Sequence, residues 1–221
     1  MTAFPFRTVV FDLDGTLADT APDLTAALNH ALERLGRARV PDEDVRHMVG
    51  HGARALLRKG LAATGDVSEA LIERGFPIFL DYYEGHVADF SRPWEGVEEA
   101  LAALEAQDVR LAVCTNKLEG LTHRFLAAMG WEGRFAAIVG GDTLPVRKPD
   151  PAPLLAAIER AGGGPAAFVG DSITDTDTAK AAKVPCVALS FGFSDRPAEE
   201  LGADRLIHHW RELVGALAEL A

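Results

Sequence analysis

Two carboxylates, Asp12 and Asp14, stand one residue apart where the apolar run Val9-Val10-Phe11 ends, and Gly15-Thr16 follows at once. Residues i and i+2 of a strand share a face, so the pair would sit side by side. Like charges that close repel unless the two groups do different work or a cation lies among them. Three later segments end in related chemistry. Cys114 is followed by Thr115-Asn116-Lys117. The run ending at Val139 leads through Gly140-Gly141-Asp142 to Val146-Arg147-Lys148-Pro149. Val169 is followed by Gly170-Asp171-Ser172, with Asp175 one helical turn beyond Asp171. Carboxylates, small hydroxyls and a lysine together suit a hard divalent cation and a phosphoryl group. Mg²⁺ binds through carboxylates, waters and a substrate phosphate. Asp12, Asp171 and the backbone carbonyl of Asp14 are the sensible ligands, and Asp175 could hold a metal water or Lys148. Backbone amides after Asp12 and near Asn116, close to helix N-termini, can receive phosphate oxygens.

These residues meet only if the apolar runs are strands of one sheet. Thr8–Phe11, Arg110–Cys114, Ala136–Val139, Ala167–Val169 and Cys186–Leu189 read as buried strands, with Arg205–Ile207 as a short edge strand. From the second onward they alternate with helical patterns, which predicts an α/β fold with a doubly wound parallel sheet. Ligands in such a sheet bind beyond the carboxyl ends of the strands. The first gap is long and helical. Thr20-Ala21-Pro22-Asp23 reads as a capping box, and Leu24, Leu28, Ala31, Leu32 and Leu35 recur at helical spacing. Asp42–Val49 and Ala53–Leu61 give two shorter helices around Gly50-His51-Gly52. Ser68–His86 is helical again, with Pro77 implying a kink or restart. Residues 18–89 therefore form a helical insertion in a core made of 1–17 and 90–221. Near the end, Trp210–Leu220 places Leu213, Leu217 and Leu220 on one stripe.

A net charge of −11 argues against nucleic acid as a partner, because phosphate backbones need a basic face. A small phosphorylated metabolite stays compatible, since a metal ion or one lysine reverses the local field. The longest apolar runs are strand-sized, so neither a membrane span nor a secretory leader is expected. Cys114 and Cys186 each lie in an apolar run and read as buried thiols of a cytoplasmic protein. His208-His209 is read as solvated or capping rather than metal-binding, because neighbours in sequence point different ways. Trp94 and Trp131 read as packing residues, and Glu98-Glu99 as compensation for a helix dipole.

The segments DLDGT, TN, RKP and GDSITD, in this order, resemble the four motifs of the haloacid dehalogenase superfamily, and the helical insertion resembles its cap. Within it, DLDGTLADTAPDL, VGHGARALL, TNK and RKPDPAP are most similar to phosphoglycolate phosphatases. Where those enzymes usually have Tyr-Pro-Gly-Val, this chain has Pro93-Trp94-Glu95-Gly96-Val97, a departure expected to lie outside the chemistry. The resemblance implies that Asp12 is a nucleophile forming an aspartyl-phosphate and Asp14 the acid and base. It implies that Thr115, Asn116, Gly15 and Lys148 bind phosphate, with Lys148 neutralising charge, and that Asp12, Asp14, Asp171 and Asp175 serve Mg²⁺. Dehalogenases of the superfamily lack an acid at the position of Asp14, so phosphoryl chemistry is favoured. Cap loops close over the substrate in the resemblance, which makes Arg54 a candidate contact for a carboxylate. The implied activity is hydrolysis of 2-phosphoglycolate by a monomer or homodimer. Other small esters (a sugar phosphate or N-acetylmuramate 6-phosphate), a phosphomutase, and a non-catalytic phosphometabolite sensor are the alternatives. The sensor predicts damage to Asp12, Asp14, Lys148 or Asp171, and all four are intact.

Overall fold

A computed structural model describes residues 4–194 and 196–220. The chain opens with strand β1 (Thr8–Phe11) and a two-residue strand β2 (Ala18–Asp19). Helices α1 (Ala21–Arg34), α2 (Asp42–Arg46), α3 (Ala53–Ala63) and α4 (Glu69–Gly85) follow. The chain returns through β3 (Arg92–Pro93), which pairs antiparallel with β2. Then come α5 (Val97–Glu105), β4 (Arg110–Cys114), α6 (Glu119–Ala128), β5 (Ala137–Val139), α7 (Ala152–Arg160), β6 (Ala166–Gly170), α8 (Ile173–Ala182), β7 (Cys186–Leu189), β8 (Arg205–Ile207) and α9 (Leu213–Ala218).

Six strands form one sheet in the order β5-β4-β1-β6-β7-β8, and every neighbouring pair is parallel. β1 lies between β4 and β6, where the connections reverse direction, so a crevice opens above it at the carboxyl ends. Side chains alternate between two apolar layers, as period two requires. Val9 and Phe11 enter the larger layer, while Val10 joins Cys114, Phe168 and Cys186 in the smaller one. Both cysteines are unpaired and buried. Among the described residues no helix is long and apolar enough to cross a membrane.

α2 stops at Arg46 rather than at Val49, and two further elements differ from the sequence pattern. α4 runs unbroken through Pro77, because Ile72, Gly75, Phe79 and Tyr83 bury one continuous stripe and hold the helix across the missing amide hydrogen. The last helix begins as a 3-10 turn over Trp210–Glu212, capped by His209 Nδ1, which accepts from the Arg211 N–H.

The expected capping box at the start of α1 is not formed. The Thr20 hydroxyl is buried without a partner, and Ala21 N–H turns to the Asp19 carboxylate instead. Asp23, fully buried, faces the returning chain. It accepts from the N–H of Phe90, from the N–H of Ser91 at 2.8 Å and from the Ser91 hydroxyl at 2.6 Å. One carboxylate thus ties the first turn of α1 to the chain returning from the helical segment. Removing it strands buried N–H groups, each costing about 1–3 kcal/mol. Asp23→Ala is expected to lower unfolding free energy by about 3 kcal/mol in urea titrations. Thr20→Val, which removes only an unpartnered hydroxyl, is expected to change it by less than about 1 kcal/mol.

Candidate active site

Each strand end around β1 delivers one part of a buried charged cluster. Asp12 follows β1 directly, its N–H donating to the Val169 carbonyl at 2.9 Å. Asp171 follows β6, Thr115 follows β4, and Lys148 comes from the loop after β5. One oxygen each of Asp12, Asp171 and Asp175 lies within 4.8 Å of the others. Lys148 Nζ is 2.6 Å from Asp175 Oδ1 and 3.0 Å from Asp12 Oδ1. Asp175 Oδ2 accepts from the Asp171 N–H, the Ser172 N–H and the Ser172 hydroxyl, which closes a capping box on α8. Asp171 accepts from the Thr16 hydroxyl at Oδ1 and from the Phe193 N–H at Oδ2, the latter at 2.6 Å.

Gly15 is required by this arrangement. It sits at φ +85°, and a Cβ there would lie 2.5 Å from Asp171 Oδ2 and 2.9 Å from the Phe193 ring. Any side chain at position 15 would push Asp171 out of the cluster.

Three buried carboxylates against one ammonium are under-compensated. Burial pushes Asp12 up to about 6; Lys148 opposes the shift, while Asp175 and Asp14 add to it. Burial, Asp175 and Asp12 hold Asp171 well above the ordinary carboxylate range, with Thr16 and Phe193 pulling partly back. Burial alone would lower Lys148, but Asp12 and Asp175 reverse this and hold it above its usual value. Asp12 Oδ1 lies close to Lys148 yet is left without a hydrogen-bond partner. Three buried carboxylates with oxygens within 4.8 Å of one another and a single ammonium among them fit a hard divalent cation. Asp12 and Asp171 could supply its side-chain ligands. Asp175 fits less well, because its oxygens already accept from four protein donors.

Donors for an anion lie next to the cluster. The backbone N–H groups of Leu13, Asp14 and Asn116 have no acceptor among the described residues. The Thr115 hydroxyl accepts from the Lys117 N–H and keeps its own hydrogen to give. Beyond them opens a small cleft. Asp14, Asn116 and Lys117 line it from the sheet, and Leu24, Leu56 and Tyr83 from the helical segment. A buried carboxylate, a second carboxylate at the mouth, free amides and an ammonium form a constellation for displacement at a phosphoryl group.

A family model described as haloacid dehalogenase-like hydrolase matches residues 9–189. The chain belongs to this family. It is an enzyme, a hydrolase of the phosphatase type. It is 45% identical over 216 residues to a phosphoglycolate phosphatase of Mesorhizobium japonicum, covering 96% of this chain and 94% of that protein. A phosphoglycolate phosphatase of Caulobacter vibrioides is 43% identical, covering 96% and 91%. Among solved structures, that of a predicted phosphoglycolate phosphatase from Haemophilus somnus superposes with a TM-score of 0.89 at 30% identity, covering 96% and 97%.

In this hydrolase Asp12, Thr115, Lys148, Asp171 and Asp175 come together as their spacing predicts, and Asp14 points into the cleft. Other expected residues are placed differently. The Gly15 N–H is spent on the Ala18 carbonyl at 2.9 Å, so Gly15 shapes the loop rather than holding phosphate. The Asn116 side-chain amide donates to the carbonyls of Gly50 and Lys148, both at 3.1 Å, which leaves only its backbone N–H for an anion. Arg54 does not line the cleft. Its guanidinium pairs with Glu73 at 2.6 Å on the outside of the helical segment and stacks over Phe76. The Trp94 substitution is not remote from the chemistry, because Trp94 Nε1 donates to the Gly15 carbonyl at 3.0 Å. His208 bonds Ser190 and His209 caps a turn, so neither approaches the cluster.

Lys117 and Tyr83 are the residues that sequence reasoning missed. Lys117 Nζ is buried and donates to Asp14 Oδ1 at 2.9 Å and to Tyr83 Oη at 2.5 Å. Burial alone would lower its pKa, but Asp14 and Tyr83 hold it above the usual lysine value. Burial pushes the Tyr83 phenol up to about 12, against the pull of Lys117. The lysine of the Thr-Asn-Lys run was a signal; its aromatic partner, far away in sequence, was not.

Proposed function

We propose that this hydrolase is a Mg²⁺-dependent phosphomonoesterase that works through phosphorylated Asp12, and that its substrate is 2-phosphoglycolate. Residues 18–89 act as the cap and 1–17 with 90–221 as the catalytic core. The observation that carries the reading is Asp14, a second carboxylate facing the cleft two residues after the buried one. Attack at carbon that expels a halide needs no proton donor there, whereas expelling an alkoxide does.

Asp12 attacks phosphorus, forming an Asp12 O–P bond as the bond from phosphorus to the glycolate oxygen breaks. Asp14 gives that oxygen its proton. It then takes a proton from the water that attacks the aspartyl-phosphate, and inorganic phosphate leaves with Asp12 regenerated. The N–H groups of Leu13, Asp14 and Asn116 and the Thr115 hydroxyl receive the phosphoryl oxygens. Lys148, braced by Asp175, offsets charge on Asp12 and on the transferring group. Asp12, Asp171 and the Asp14 carbonyl would hold Mg²⁺, which when bound would shield the approach of an anionic nucleophile to an anionic ester. The substrate identity is supported by the relatives named phosphoglycolate phosphatase. The buried unpaired thiols suit a reducing cytoplasm.

The test is hydrolysis of para-nitrophenyl phosphate and of a panel of natural phosphate esters, compared by kcat/KM. EDTA is expected to abolish turnover and Mg²⁺ to restore it, with 2-phosphoglycolate highest in the panel. Mg²⁺ is also expected to raise the melting temperature, because an ion that binds only the folded state stabilises it. Turnover that persists in EDTA would sink the metal requirement, and a sugar phosphate ranking first would replace the substrate.

A further inference from the structure

The cleft's walls divide sharply by polarity. Leu24, Leu56 and Leu121 give it apolar sides, and Lys117 is the only cation among the residues that line it. That ammonium is buried beside the rings of Tyr83, at 4.5 Å, and Phe125, at 5.7 Å. Its three hydrogens are not all used. One goes to Asp14 and one to Tyr83, and the third has no acceptor among the described residues. Tyr83 Oη accepts from Lys117, and its own hydrogen also has no acceptor among the described residues. Buried donors are nearly always satisfied, and a buried lysine is expensive unless its charge is used. Two unspent donors side by side, facing the apolar walls of Leu24, Leu56 and Leu121, match one bidentate anionic acceptor.

We infer that Lys117 and Tyr83 are the specificity-determining pair that binds a carboxylate on the leaving alcohol. The inference rests on the phosphomonoesterase reading above and assigns the far end of its substrate. The carboxylate bridges the two donors while the phosphoryl group lies at Asp12. Lys117 comes from the strand-end loop after β4 and Tyr83 from α4, so the leaving group is read jointly by the sheet and the helical segment. A neutral alcohol of the same length leaves the ammonium's third hydrogen unmet, and the site discriminates against it.

The experiment compares 2-phosphoglycolate with ethyl phosphate, which has the same two-carbon frame without the carboxylate, in the wild-type chain, Lys117→Met and Tyr83→Phe. The readout is the ratio of kcat/KM for the two esters. The wild-type ratio is expected to favour 2-phosphoglycolate by about 100-fold or more. It falls by about 50-fold in Lys117→Met, chiefly through KM for 2-phosphoglycolate, and by about 5-fold in Tyr83→Phe. Equal losses on both esters in Lys117→Met would mean that the lysine only holds Asp14, and the inference falls. If Lys117→Met does not fold, Tyr83→Phe decides, and an unchanged ratio there overturns the assignment. A wild-type enzyme that hydrolyses both esters without preference removes the carboxylate reading and leaves the phosphomonoesterase standing. One that hydrolyses neither removes both.

Discussion

Asp12→Asn is expected to lower kcat by at least about 10,000-fold on every phosphate ester, para-nitrophenyl phosphate included. An amide of the same shape cannot form the acyl phosphate, and a better leaving group does not help when the nucleophile is gone. What separates this from a folding defect is stability. Asp12 lies among Asp171, Asp175 and Asp14, and burial already pushes its carboxyl up to about 6. Removing its charge relieves the crowding, so without metal the variant is expected to melt no lower than the wild type. An inactive variant with an unchanged or raised melting temperature assigns the loss to chemistry. Residual activity above about 1% of wild type would falsify the role of Asp12 as nucleophile.

Lys148→Met carries the second large effect, and here activity and stability fall together. Lys148 is 2.6 Å from Asp175 and 3.0 Å from Asp12, in a site closed to solvent. Breaking a buried pair by deleting one partner costs about 3–5 kcal/mol, because the remaining charges are left unpaired. The deficit depends on pH in a defined direction. A carboxyl whose folded pKa stands above its unfolded value binds its proton more tightly when folded. Its contribution is therefore complete below the unfolded value and is lost as pH rises through the folded one. For Asp12 that window runs from 3.8 upward through about 6, and loss of the ammonium extends it higher. The variant is thus expected to lose less stability at pH 5 than at pH 7.5 in urea titrations. Its kcat is expected to fall by about 1,000-fold or more, since the charge on the transferring group goes unopposed. A stability deficit that grows on acidification would overturn this account of the cluster.

The parallel sheet, the helical segment and the buried cluster were legible in the sequence for a common physical reason. Each active carboxylate or hydroxyl directly follows an apolar run, so strand order alone aims Asp12, Thr115 and Asp171 at one crevice. What escaped were partnerships made across long stretches of chain. Lys117 and Asp14 are separated by 103 positions, and Trp94 and Gly15 by 79. Local pattern also misdirected in two places. Thr20 and Asp23 have capping-box spacing, but the returning chain offers Asp23 better donors than its own helix does. Arg54 follows the glycine-rich loop in sequence, yet its position on α3 turns it outward to Glu73, while Ala53 beside it faces the cleft. Of the two roles its spacing offers Asp175, a metal water or Lys148, the structure shows the lysine contact.

The Asn116 amide grips two carbonyls, one on each side of the doorway to the cleft. Its hold on Lys148 lies within the sheet's own loops, while its hold on Gly50 crosses to the helical segment. Swinging that segment away breaks only the second grip. Lys148 would stay tethered through such a movement, with the Gly50 bond and the Lys117–Tyr83 bond among the contacts to be remade.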